Sequence, residues 1–181
     1  MRIFVAVMAD ELIKQLAQQL IKELSGLPHT ENIAWINLKK LHLTLQFLGD
    51  VNAEQLAYML EQLPLALSGL IHFTIEPCAI ALFPYTERPS VMALRFKPSA
   101  ELENLANRVK KVALEAGIAL NSSSFQSHLS LGRLKKRPYP WINDIIISGE
   151  RSFTIKQVTL LESKLQNNGS LYLPIQRFSL D

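Results

Sequence analysis

The sequence predicts an α+β fold with a mainly antiparallel sheet, arranged as two related lobes around a shared cleft. Strand-like and helix-like segments are mixed without a regular βαβ rhythm. Two distant stretches, Leu41-His42-Leu43-Thr44-Leu45 and Ser127-His128-Leu129-Ser130-Leu131, share one pattern. Each lies downstream of a helix-like segment ended by glycine, Gly26 or Gly117, although no longer repeat aligns between the halves.

Met1 to Val7 is rich in apolar, β-forming residues and reads as an opening strand. Asp10 can cap the helix that follows, in which Leu12, Ile13, Leu16, Leu20, Ile21 and Leu24 recur at helical spacing until Gly26 and Pro28 stop it. A short strand at Ile33 to Ile36 precedes the first histidine strand, Leu41 to Leu48, which Gly49-Asp50 closes. Ala53 to Leu67 reads as a second helix, with Leu56, Met59, Leu60 and Leu63 on one side and Pro64 near its end. Strands are expected over His72 to Leu82 and Val91 to Phe96, joined by a loop at 84–90. Ser99 or Pro98 opens a third helix with Leu102, Leu105, Ala106, Val109 and Val112 as its apolar stripe. The second histidine strand is expected over Ser124 to Leu134, then a loop carrying Pro138-Tyr139-Pro140-Trp141. Strands at Phe153 to Leu165 and Leu171 to Phe178, joined by an Asn167-Asn168-Gly169 hairpin turn, finish the chain.

The 181 residues suit one well-buried domain, 1–181, with two lobes. Apolar residues at 48% and charged residues at 19% exclude a disordered tract. The apolar runs are too short to span a bilayer and the N-terminus lacks a signal-peptide pattern, so a soluble, cytoplasmic protein without membrane association is expected. One cysteine, Cys78, rules out an internal disulfide and reads as a buried structural thiol. The net charge of +3 permits a nucleic-acid substrate without demanding one. Lys39 and Lys40 stand directly before the first histidine segment, and Arg133, Lys135, Lys136 and Arg137 crowd behind the second, as solvated loop ends or as receivers of a polyanion.

In the first motif Leu41, Leu43, Leu45 and Phe47 should share one face of the strand, and His42, Thr44 and Gln46 the other. In the second, Leu129 and Leu131 should face inward while His128 and Ser130 share the opposite side. Histidine gives or takes a proton near neutral pH. Hydrolysing a phosphodiester needs a base to activate water and an acid to protonate the departing oxygen, so two histidines flanking one phosphate form a complete proton-transfer set. The hydroxyls of Thr44 and Ser130 could donate hydrogen bonds to the non-bridging oxygens. One such segment is an ordinary surface strand; two of them, one in each half, point to a site. His29 and His72 lack matching flanks and read as incidental. No carboxylate or cysteine stands in register with the two histidines, which argues against zinc, and no glycine-rich phosphate loop or dinucleotide fingerprint is present.

These motifs resemble the HxTx signatures of the 2H phosphoesterase superfamily, specifically the bacterial and archaeal RNA 2′,3′-cyclic phosphodiesterases historically called 2′-5′ RNA ligases. The likeness runs through Arg2 to Val7, Leu41 to Val51, the LFP…RPSV segment from Leu82 to Val91, Ser127 to Lys135 and the closing Leu160 to Leu165 with Gly169 and Tyr172. It implies a bilobal fold with pseudo-two-fold symmetry, two antiparallel sheets facing a central cleft, helices on the outside, and no cofactor or metal. It also implies hydrolysis of a 2′,3′-cyclic phosphate on an RNA end, tRNA fragments among them, to a 2′-phosphate. Some relatives join RNA ends through a 2′-5′ linkage without ATP. By position, His42 would donate the proton to the leaving oxygen, His128 would activate water, and Thr44 and Ser130 would hold the phosphate. Ser130 departs from the family's usual threonine and loses a methyl that restricts its rotamer. Arg133 matches an arginine that follows the second motif in relatives and is a candidate for substrate contact; simple alternation would put it on the wrong face, so that role requires a bulge or strand end near Gly132. Phe83 is, by the same route, a candidate stacking residue, with core packing as the other reading. A monomer is expected.

Two readings compete with this one. A non-catalytic RNA- or nucleotide-binding module would show strongly salt-dependent binding and no turnover. A phosphodiesterase acting on a small cyclic nucleotide, a 2′-5′ oligonucleotide or ADP-ribose 1″,2″-cyclic phosphate would keep the chemistry and change the substrate.

Overall fold

A computed structural model describes residues 1–28, 30–84, 88–121, 124–135, 144–147, 149, 151–167 and 169–181. Chain order is β1 (Arg2–Met8), α1 (Glu11–Ser25), β2 (Ile33–Trp35), β3 (His42–Asp50), α2 (Ala53–Leu67), β4 (Phe73–Ile75), β5 (Pro77–Phe83), β6 (Val91–Phe96), α3 (Ala100–Glu115), β7 (His128–Leu134), β8 (Ile145–Ile146), β9 (Phe153–Ile155), β10 (Gln157–Gln166) and β11 (Gly169–Ser179). The helices start where side chains can satisfy their first free N–H groups. Asp10 Oδ1 accepts from the Ile13 N–H at 2.8 Å, and Ser99 Oγ from the Leu102 N–H at 3.2 Å. Asn52 and Gln55 bond reciprocally in a capping box.

The α+β, antiparallel class is as expected. The main sheet runs β11-β10-β1-β3-β7-β6-β5-β8, with β2 added to β7, and β4 pairs with β9 in a small second sheet. Two four-stranded halves meet at its centre, where β3 and β7 share one register pair among the described residues, Leu43 opposite Leu129. One face of the large sheet is covered: Ile3, Val5, Leu43, Leu45, Leu129 and Leu131 are buried with Leu16, Leu63, Leu105 and Val109 of the helices. The other face carries a smaller cluster, Phe4, Ala6 and Leu161, against which Met8 and Tyr172 pack. Residues i and i+1 of a strand point to opposite faces, so the helix-covered leucines force the intervening histidines and hydroxyls onto this second face.

Several elements differ from expectation. The expected strand His72 to Leu82 is broken at Glu76 and the strand Phe153 to Leu165 at Lys156, so that β4 and β9 leave the main sheet together. The second histidine strand begins at His128 rather than Ser124. Leu12 is 61% exposed rather than part of the buried stripe. Cys78 is half-buried, not buried. His29, the 138–141 loop, Lys136, Arg137 and Asn168 lie outside the described residues. Among the described residues no helix is long and apolar enough to cross a membrane.

Candidate active site

The single pair Leu43–Leu129 fixes the geometry of the site. Stepping one residue either way along two antiparallel strands carries His42 toward Ser130 and His128 toward Thr44, on the face away from the helices. Each histidine opens its strand, and each lies opposite the other motif's hydroxyl. The two motifs are thus interleaved across the join rather than lying side by side.

Both imidazoles are anchored in the same way. His42 Nδ1 lies 2.7 Å from the Lys40 carbonyl oxygen, and His128 Nδ1 lies 2.9 Å from that of Gln126. A carbonyl only accepts, so Nδ1 carries the proton in both rings and Nε2 is left to accept or donate one. The aromatic surroundings differ. Tyr172 meets His42 edge-on with centroids 5.1 Å apart, Phe4 is tilted against it at 5.1 Å, and Phe83 stacks on His128 at 3.9 Å and 20°. Burial pushes both imidazoles below the ordinary value of 6.5, against the opposing effect of the carbonyl bonds. The charges of His128 and Arg133 push His42 down further. A first proton on the pair therefore discourages a second, and a bound phosphate anion favours the state with one acid and one base.

Arg133 reaches this face because β7 bulges. Ala93 of β6 lies opposite Ser130, and its neighbour Met92 opposite Gly132, so Leu131 is an extra residue that reverses the parity of all that follows. Leu131 and Gly132 are both buried, while Arg133 is exposed. Gly132 is required by close approach: a Cβ there would sit 2.3 Å from Ile33 Cγ2 and 3.0 Å from Trp35 Cε3 of β2. A groove of about 500 Å³ opens beside the join, walled by His42, Ser130, Arg133, Lys40, Tyr172 and Trp35 among others, with no carboxylate among the described lining residues.

The structure therefore brings His42, His128, Thr44, Ser130 and Arg133 onto one face. Phe83 is there too, but one side of its ring is spent on His128. His72 is elsewhere, with its Nδ1 3.1 Å from the Asp181 carbonyl oxygen. Phe47 corrects the parity expected in β3: it is 63% exposed rather than on the leucine face, because Leu45 is itself a bulge residue between Thr44 and Gln46. Lys40, marked in the sequence by its charge beside the first motif, lines the groove. Tyr172 and Trp35 carry no local signal as site residues, since pairing of distant strands brings them in.

Comparison with known proteins places the chain in a family. A family model described as LigT like Phosphoesterase matches residues 7–93. A protein of Archaeoglobus fulgidus called RNA 2′,3′-cyclic phosphodiesterase is 31% identical over 98% of this chain and 99% of its own. One of the same name from Aquifex aeolicus is 27% identical over 99% and 97%. A crystal structure from Thermus thermophilus has the same fold, with a TM-score of 0.84 at 23% identity over 99% of this chain and 98% of that one. With a relative that close along nearly the whole of both chains, the protein belongs to the LigT-like phosphoesterases of the 2H superfamily.

Proposed function

We propose that the protein hydrolyses the 2′,3′-cyclic phosphate of an RNA end to a 2′-phosphate, using His42 and His128 and no metal. One observation carries this reading. Two imidazoles on one face, each held through Nδ1 by the carbonyl two residues back, present two Nε2 atoms on either side of the Leu43–Leu129 join. The names of the two relatives agree with it.

In the proposed reaction His128 Nε2 takes a proton from water as the water oxygen bonds to phosphorus. The P–O3′ bond breaks opposite the attacking oxygen, and His42 Nε2–H protonates O3′. The ring opens to a 2′-phosphate and a free 3′-hydroxyl. This division of roles is the one that the resemblance of the two motifs to the family implies by position. Thr44 and Ser130 hydroxyls donate to the non-bridging oxygens, and Arg133 offsets the phosphate charge. A 5′-hydroxyl in place of water would yield a 2′-5′ linkage by the same proton transfers, with no nucleotide consumed. The test is an RNA oligomer ending in a 2′,3′-cyclic phosphate, incubated with the protein in EDTA. Complete conversion to the 2′-phosphate is expected. Turnover that stops in EDTA, or a 3′-phosphate product, would contradict the proposal.

A further inference from the structure

The two histidines are anchored alike at Nδ1 but braced differently at the ring. A hydrogen bond from Nδ1 fixes one atom, and rotation about χ2 is broad for histidine, so the direction of Nε2 depends on what packs against the ring. His42 is braced from two directions, by Tyr172 at 84° and by Phe4 at 45°. Among the described residues His128 meets one ring, that of Phe83.

Phe83 ends β5 and faces Val91 of β6, whose other neighbour, Arg133, stands near the far end of β7 from His128. The contact is therefore made by a side chain that crosses the face. Its backbone is held: the Ser90 N–H donates to the Phe83 carbonyl at 2.8 Å, and the Leu134 N–H to the Ser90 carbonyl at 3.0 Å, which ties Phe83 to the strand that carries His128. The two rings lie 3.9 Å apart at 20°, a closed stack with no room for a nucleobase between them. Phe83 is half-buried and belongs to neither core cluster, so core packing does not account for where its ring lies. A ring laid flat on an imidazole leaves the in-plane lone pair of Nε2 open. When Nε2 takes a proton, the new positive charge rests over a π face that attracts it.

We propose that Phe83 is a positioning residue for the water-activating step: its ring sets the plane of the His128 imidazole, and it acts through His128 rather than on the substrate. This deepens the proposed function and rests on it. The two halves then share one proton-transfer motif but brace it by different aromatic devices, a flat stack for the base and an edge-on contact for the acid.

The experiment measures kcat and KM of Phe83→Leu, alone and combined with His128→Ala, on an RNA ending in a 2′,3′-cyclic phosphate. Phe83→Leu is expected to lower kcat about tenfold with KM nearly unchanged, and Phe83→Tyr to recover the rate. The loss should vanish when position 128 is already alanine. It should persist on a substrate with sulfur as the 3′ bridging atom, whose departure needs the base alone. In the folded wild type, the His128 ring protons should resonate upfield of free histidine, shielded by the stacked phenyl. A loss carried by KM, a loss that survives in His128→Ala or disappears on the sulfur substrate, or unshielded His128 protons would each overturn the inference and leave the proposed function standing. Wild-type protein that does not cleave the RNA overturns both.

Discussion

Alanine at position 42 or at position 128 is expected to lower kcat on an RNA cyclic phosphate by about 10²–10⁴-fold, the usual yield of a positioned acid or base. The double variant should lose little more than the worse single one, because the two transfers belong to one displacement and removing either partner strands the other. Both rings are part-exposed and neither fills the helix-covered core, so thermal stability should change little. The roles separate with a substrate whose 3′ bridging oxygen is replaced by sulfur. A thiolate departs without a proton, so His42→Ala should recover most of its lost rate on that compound and His128→Ala should not. Equal recovery in both variants would contradict the assigned roles, and a wild-type rate in either variant would contradict the site itself.

Gly132→Ala is expected to destabilise the fold by about 1–3 kcal/mol, typical of overpacking, which is roughly 2–12 °C in Tm for a chain of this size. Its new methyl would meet Ile33 Cγ2 at 2.3 Å, a separation that real side chains do not sustain, so β2 must move away from β7. That movement reaches the site. Trp35 faces Gly132 and Ala34 faces Arg133, so displacing β2 disturbs both the groove wall and the bulge that aims the guanidinium. Activity should fall beyond what unfolding explains. Ile33→Ala removes the clashing methyl but opens a cavity, since Ile33 is 4% exposed. Calorimetry on the two singles and the double therefore checks the argument: the double should lose clearly less stability than the two singles added together. Additive losses would show that the clash with Ile33 is not the cause.

The histidine strands are legible because two-residue alternation next to leucines leaves few alternatives, and the bulges lie beyond Thr44 and Ser130, where they cannot scramble the motif. Past those points alternation misleads. The pair Phe47-Leu48 is the available warning, since two adjacent apolar residues cannot both face the core of a regular strand. For Arg133 the departure near Gly132 is present, as expected, because glycine within a strand marks close approach or a bulge. The breaks at Glu76 and Lys156 are hidden by β-forming residues on both sides, although Pro77 directly after Glu76 hints at the first. Which strands pair is decided by burial across the whole molecule. Neither Trp35 nor Tyr172 can be placed beside His42 from local pattern, because β2 joins β7 and β11 joins β10 through contacts that the motif itself does not specify.

The proposed reaction needs two rings with their Nδ1 protons tied to main chain and their Nε2 atoms free to meet one phosphate. Long-range ¹H–¹⁵N spectra of the imidazoles, recorded against pH with and without a nucleoside 2′-phosphate, observe this directly. Both His42 and His128 are predicted to be Nδ1–H tautomers when neutral and to titrate below 6.5 in the free protein, since burial outweighs the carbonyl bonds. Both Nε2 resonances should move when the nucleotide binds, and its anion should raise the titration of at least one ring. An Nε2–H tautomer at either position, or a nucleotide that shifts one histidine and leaves the other untouched, would contradict it.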